Sequence, residues 1–194
     1  MPSFVVEPAD ISPPVLVLRG PEARHAVKVR RYGVGDVIEA SDGDGTYYRA
    51  RIEALVEDQV RCQILAVERE RGESGVRVVL AAALLKGQRF DFLVEKATEV
   101  GVDTILPVCT KRCVALSGSG RKVERGRRLA REAAKQCGRT RTPDIEDPLS
   151  FTAAIQTLSE RTERTFVALP AAPGGLEKGL SGGAYSQLGL CIGP

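Results

Sequence analysis

KGQRFDFLVEKATEVGVDTILPVCTKR, residues 86 to 112, decides the fold. Between Phe90 and Val100 the apolar residues Phe90, Leu93, Val94, Ala97 and Val100 recur at helical spacing, which predicts a helix with this stripe buried and Lys96 and Glu99 off it. Gly101 stands where a C-capping glycine belongs, and VDTILPVC then reads as a buried strand rich in branched residues. Upstream, VRVVLAAALL (76 to 85) is apolar enough for a strand covered on both faces. Together these form a strand, helix, strand unit of a parallel sheet. Polar residues of such a sheet gather at strand and helix ends, where open α/β folds bind their ligands.

Downstream the character changes to charge. From Arg121 to Arg141 nine cations (Arg121, Lys122, Arg125, Arg127, Arg128, Arg131, Lys135, Arg139, Arg141) face only Glu124 and Glu132, a local excess of seven on a chain of net charge +3. A basic helix on an otherwise acidic remainder points to a polyanion, with RNA or DNA phosphates as the candidates. The same run also reads as a solvated face, with Leu129, Ala130, Ala133, Ala134 and Cys137 turned inward.

Residues 1 to 70 read as a small all-β domain: SFVVE, PVLVLRG, DVIEAS, TYYRARI and QVRCQILAVE are short β-rich runs, with Asp42 to Gly45 as a hairpin turn and a short helix beginning near Pro21. Through Gly75 this region is net acidic, yet Arg30, Arg31, Arg49 and Arg51 beside Tyr47 and Tyr48 are suited to phosphate pairing and base stacking. Exposed arginines alternating along a strand are the plainer reading. VERERGESG has the composition of a linker, which we place at 71 to 75, and residues 76 to 194 form the second domain. There ALSGSGRK reads as a loop before the basic helix, a helix is expected near Phe151 to Glu160, and the strands TFVALP and LGLCIGP flank a Gly- and Ala-rich loop.

Other classes fall away on composition. Five cysteines without a C-x-x-C pair, and one histidine, argue against zinc and against histidine triads; the thiols read as reduced and buried. No phosphate loop is present, since Gly118, Gly120 and Lys122 do not fit its spacing. The longest apolar run, VVLAAALL, is too short to span a bilayer and the N-terminus is unlike a signal peptide, so a cytoplasmic protein with no membrane partner is expected.

The run at 86 to 112, followed by EAAKQCGRTRTP (132 to 143) and a C-terminal strand ending IGP, resembles the bacterial 16S ribosomal RNA uridine-N3 methyltransferases of the SPOUT superfamily over nearly the whole chain. The resemblance implies an α/β fold: an N-terminal PUA-like β-barrel that holds RNA, then a SPOUT-type domain with a parallel sheet. It also implies S-adenosylmethionine as cofactor, 16S ribosomal RNA or the small subunit as partner, a homodimer when full length, and methyl transfer to N3 of a uridine. The implied cofactor residues are Leu169, Pro170, Ile192, Gly193 and Pro194. The RNA-binding candidates are His25, Arg30, Arg31, Lys86, Lys96, Arg121, Lys122, Arg125, Arg128, Gln136 and Arg139; of these His25 and Arg31 match family positions, while Arg30 stands where leucine is common.

Methyl transfer to N3 needs in-line positioning and loss of the N3 proton, by a side chain or by water. Glu99 is one candidate base and Arg112 a candidate for the developing negative charge; a structural bond from Glu99 to a backbone amide or to Arg112 is the competing reading. Lys86, Arg112 and Arg139 equally admit roles as ion pairs, and Gln136 as a helix end. In the family the text continues G-P-E-G-G through a trefoil knot, and here Gly193 and Pro194 match only its first two positions. The expectation is a chain cut before the end of the knot, inactive by itself and weak in cofactor binding. A non-catalytic RNA-binding module is the alternative.

Overall fold

A computed structural model describes residues 4–111, 119–169, 175–181 and 183–193. By contact the chain divides into two units, residues 1–73 with Ala134–Thr142, and Ser74–Ala133 with residues 143–194. The placement of 134–142 differs from the expected division, which gave all of 76–194 to one domain.

The first unit is a six-stranded sheet in the order β1-β4-β5-β6-β3-β2, built from β1 (Phe4–Val5), β2 (Ile11–Ser12), β3 (Val15–Arg19), β4 (Val37–Ser41), β5 (Thr46–Val56) and β6 (Gln59–Arg69). Alternation on the long strands turns Tyr48, Ala50, Ile52, Val60 and Cys62 inward against Phe4, Leu16, Leu18 and Ile38. Helix α1 (Gly20–Arg24), which runs straight into a π-helical turn (His25–Val29), adds Ala23 and Ala26 to that core. Tyr47 and Tyr48 are buried, so neither offers a ring for base stacking: Tyr48 is core, and the Arg71 guanidinium lies 3.9 Å from the Tyr47 ring centre.

Glu73 lies inside the stretch read as a linker, yet its carboxylate is nearly sealed from water. It accepts hydrogen bonds from Arg139 Nε (3.0 Å), Thr140 N (2.8 Å) and Arg141 N (2.8 Å). Beside it Arg141 pairs with Glu70 and with Asp44 of the β4–β5 turn, where Asp42 accepts from Asp44 N and Thr46 N. The turn was predicted; the clasp upon it was not.

The second unit is an all-parallel sheet in the order β10-β8-β7-β12-β11, with β9 added on β8. Its strands are β7 (Arg77–Ala83), β8 (Thr104–Cys109), β9 (Asp144–Ile145), β10 (Leu149–Ser150), β11 (Arg164–Ala168) and β12 (Gln187–Ile192). On one face Leu80, Ala82 and Ile105 pack with Phe90, Val94 and Ala97 of α2 (Arg89–Glu99) and Val123 and Ala130 of α3 (Ser119–Cys137). On the other, Val79, Ala81, Leu106, Val108 and Cys191 pack with Ala154 and Leu158 of α4 (Phe151–Arg161).

The strand, helix, strand unit stands where the periodicity put it, with one correction. Val100, assigned to the buried stripe, is 80% exposed, because α2 ends at Glu99 and the chain turns through Gly101 at φ +96°; Val102 fills the core instead. In the Gly- and Ala-rich loop a short helix, α5 (Leu176–Leu180), forms, and a side chain at Gly179 would collide with the Phe166 ring on β11.

Burial divides the thiols. Desolvation, with Glu53 nearby, pushes the Cys62 thiol up to about 12, and desolvation also raises Cys191, whereas Cys137 is exposed. In the native protein at pH 8, iodoacetamide labels Cys137 and spares Cys62 and Cys191 until denaturant is added. Peptide mass mapping reads the order, and prompt labelling of Cys62 would contradict the packing described.

A cleft at the strand ends and two basic surfaces

Helix α2 returns antiparallel to β7, and α4 crosses from the β10 edge of the sheet to its β11 edge. The two halves of the sheet meet at β7 and β12, the kind of reversal outside whose carboxyl ends open α/β sheets bind ligands. A cleft of about 1400 Å³ opens there. Cys109, Thr110 and Lys111 line it from the end of β8, Ser150 to Thr152 from the start of α4, Ala168 and Leu169 from β11, and Ile192 and Gly193 from β12. Among the described residues its walls are apolar apart from the hydroxyls of Thr110, Ser150 and Thr152, two thiols and one ammonium. That suits an adenine and a thioether-like chain better than a multiply charged ligand.

Three expected cofactor residues, Leu169, Ile192 and Gly193, therefore come together at one cleft. Pro170 and Pro194 lie outside the described residues. Sequence reading missed Thr110, Lys111, Ser150 and Thr152, whose only signal was position directly after β8 or at the start of α4.

Glu99 sits elsewhere. Because α2 runs back along the sheet, its last residue lies at the amino ends of the strands, opposite the cleft. Both Glu99 carboxylate oxygens accept from Lys96 Nζ at 2.9 Å. Lys96 is in turn held above its usual range by that bond to Glu99 and by Glu95, and its amine stands 5.8 Å from the exposed Phe92 ring. A placed base at the reacting atoms is not what this geometry offers. Arg112, the other catalytic candidate, lies outside the described residues. Lys86 and Lys96 instead border a mainly apolar groove of about 850 Å³ along α2, with Phe92, Val100, Leu190 and Ile192.

The cation run of α3 and the turn after it is far less open than its count suggested. Lys122 Nζ donates to Leu85 O at 3.0 Å, Arg125 pairs with Asp91 at 2.9 Å, and Arg127 is held by Glu124, Asp147 and the Ile145 carbonyl. Lys135 pairs with Glu22 at 2.7 Å, and Arg139, expected to grip phosphate, has its side chain only 5% exposed and bound to Glu73. Arg121, Arg128 and Gln136 remain exposed, the two arginines seven residues apart on one side of the helix and without an ion-pair partner among the described residues. Lys86, just after β7, is exposed too.

In the first unit His25, Arg30 and Arg31 are all exposed around the π-helical turn, and Arg31 is held at φ +59°, a conformation that side chains other than glycine seldom adopt. His25 meets Phe4 edge-on at 5.8 Å. Arg24 and Lys28, exposed on the same short stretch, extend the patch beyond what the sequence singled out; no acid interrupts residues 24 to 31.

An open parallel sheet with its cleft at the carboxyl strand ends, preceded by a PUA-like sheet domain, is the architecture of SPOUT-type RNA-modifying proteins. Residues 72–194 match the family model for the RNA methyltransferase domain and residues 18–65 that for the RNA methyltransferase PUA domain, and the chain belongs to this RNA methyltransferase family. It is 29% identical over 150 residues to the ribosomal RNA small subunit methyltransferase E of Bacillus subtilis, an alignment covering 76% of this chain and 59% of that protein. With the protein of the same name from Mycobacterium tuberculosis the identity is 32%, over 81% of this chain and 61% of the relative. The chain thus spans about three-fifths of the length of these two relatives. Among solved structures, a Legionella pneumophila methyltransferase in complex with bound SAM superposes with TM-score 0.79 at 25% identity, covering 99% of this chain and 80% of the other. The fold of the Neisseria gonorrhoeae methyltransferase E matches at TM-score 0.82 over 100% of this chain and 79% of the other, at 24% identity. Among the described residues no helix is long and apolar enough to cross a membrane.

Proposed function

We propose that the protein is an S-adenosylmethionine-dependent methyltransferase of small-subunit ribosomal RNA, acting on N3 of a uridine in 16S RNA in the cytoplasm, as a homodimer. The observation that carries this reading is the mainly apolar cleft at the carboxyl ends of β8, β11 and β12, inside the RNA methyltransferase match. Leu169, Ile192 and Gly193 would hold the cofactor through apolar contact and backbone groups, with hydroxyls from Thr110, Ser150 and Thr152 for its polar atoms. When bound, the cofactor supplies a methyl group activated by a sulfonium. The protein's contribution is positioning: exposed Lys86, Arg121 and Arg128 engage phosphates, as do Arg30 and Arg31. Among the described residues lining the cleft there is neither carboxylate nor imidazole, so removal of the N3 proton falls to water or to groups outside them, Arg112 serving the negative charge.

The test is incubation of the full-length protein with methyl-labelled S-adenosylmethionine and 16S RNA from cells lacking this modification, followed by nucleoside mass spectrometry. The expected product is 3-methyluridine at one site; binding of the RNA without any methyl incorporation would overturn the reading in favour of a non-catalytic module. Arg121→Glu with Arg128→Glu should weaken RNA binding by roughly tenfold or more, from two lost phosphate contacts and added repulsion, while cofactor affinity by calorimetry stays at the wild-type value.

A further inference from the structure

Among the described residues that line the 1400 Å³ cleft, Lys111 is the one charged side chain. It is exposed, follows the end of β8 by two residues, and has no ion-pair partner among the described residues. Several other cations of its unit are neutralised, Arg77 by Asp103, Lys96 by Glu95 and Glu99, Arg125 by Asp91, and Arg161 by Glu146, while Arg121 and Arg128, open like Lys111, do not line the cleft. A ligand that fills the cleft strips water from one side of the Lys111 ammonium. That loss is unfavourable unless the ligand brings an anion to the same place.

We propose that Lys111 recognises an anionic oxygen of the bound ligand and so fixes which way round the ligand lies. The assignment rests on the methyltransferase reading, under which two groups carry such an oxygen: the aminoacyl carboxylate of the cofactor and an RNA phosphate beside the target base. Either takes a charge-assisted hydrogen bond from a lysine, which acts as a compact point charge. The same charge repels a sulfonium. Lys111 therefore keeps the cofactor's reactive centre away from the end of β8 and toward β11 and β12, where Leu169, Ile192 and Gly193 supply uncharged contacts. It acts as a positioning residue, since it orients the ligand and takes no part in the transfer.

Calorimetry on wild type, Lys111→Met and Lys111→Arg, with S-adenosylmethionine and with its decarboxylated analogue, separates the sources. If the cofactor carboxylate is the partner, Lys111→Met weakens S-adenosylmethionine about five- to tenfold, given the partial exposure of the pair, leaves the decarboxylated analogue unchanged, and Lys111→Arg restores most of the loss. If RNA phosphate is the partner, cofactor affinity holds and KM for RNA rises by a similar factor with kcat unchanged. Wild-type values for both ligands in a Lys111→Met protein with an unaltered circular dichroism spectrum overturn the assignment. Failure of the full-length wild-type protein to bind S-adenosylmethionine overturns the methyltransferase reading itself, and the role of Lys111 with it.

Discussion

Glu73→Ala is expected to destabilise the protein by about 3–5 kcal/mol, the usual result of removing one side of a buried ion pair. The Arg139 and Glu73 side chains are 5% and 2% exposed, and Arg139 Nη2 lies 2.7 Å from Glu73 Oε2. Removing the carboxylate takes its hydrogen bonds from that guanidinium and from the backbone N–H groups of Thr140 and Arg141. Urea unfolding reads the loss directly. The double change Glu73→Leu with Arg139→Met should recover much of it, because apolar groups of similar size need neither partner nor water. A single mutant within 0.5 kcal/mol of wild type, roughly the scale of an ordinary surface change, would mean that the clasp contributes nothing.

The same carboxylate predicts a pH dependence. Burial alone would raise the Glu73 pKa, but hydrogen bonds from Arg139, Arg141 N and Thr140, with the Arg139 charge, outweigh it and hold the group below the ordinary carboxylate value. A folded pKa lower than the unfolded one gives stability that is complete above the unfolded value and lost as pH falls through the folded one. Acid unfolding should therefore be steeper in wild type than in Glu73→Gln across that interval.

Phe90→Ala should cost about 3–5 kcal/mol, the range for truncating a fully buried aromatic. Phe90 has no exposed surface and sits where α2 meets α3, close enough to Gly126 that a Cβ there would lie 3.4 Å from its ring and from Ile145. The cavity would open between the helices that carry Arg121, Arg128 and the end of the Lys86 segment. Two positions along, Phe92→Ala removes a ring that is 62% exposed and should change stability by no more than about 0.5 kcal/mol. Thermal unfolding of the pair distinguishes them; equal losses would mean that α2 is rotated from the orientation described.

The strand, helix, strand unit was legible because local pattern and tertiary burial agree there: Phe90, Val94 and Ala97 are spaced for one helical face and that face is covered. Val100 shows the limit, since periodicity does not know where a helix stops, and Gly101 rather than the stripe set its end. Leu169, Ile192 and Gly193 were singled out together because strand-end position and family likeness coincide, and the fold brings the three to one cleft. Lys111 and the hydroxyls around it were missed because nothing in the residues themselves marks a lining position. The basic helix was misjudged for a different reason: its neutralising acids, Glu22, Glu73, Asp91 and Asp147, are distant in sequence, and only the fold brings them to it.

Those acids give α3 a property that a count of cations conceals. A basic surface in water attracts mobile anions, and a polyanion that displaces them gains entropy in proportion to their number. On α3 much of that place is already taken by carboxylates that belong to the protein and cannot diffuse away. The helix resembles an ion exchanger loaded beforehand with fixed anions, leaving few sites such as Arg121 and Arg128 to exchange. Under the proposed function, its grip on RNA should then fade with ionic strength as a surface of about two to four open charges would, with a slope near 0.7 to 0.9 for each, and far less steeply than nine cations imply.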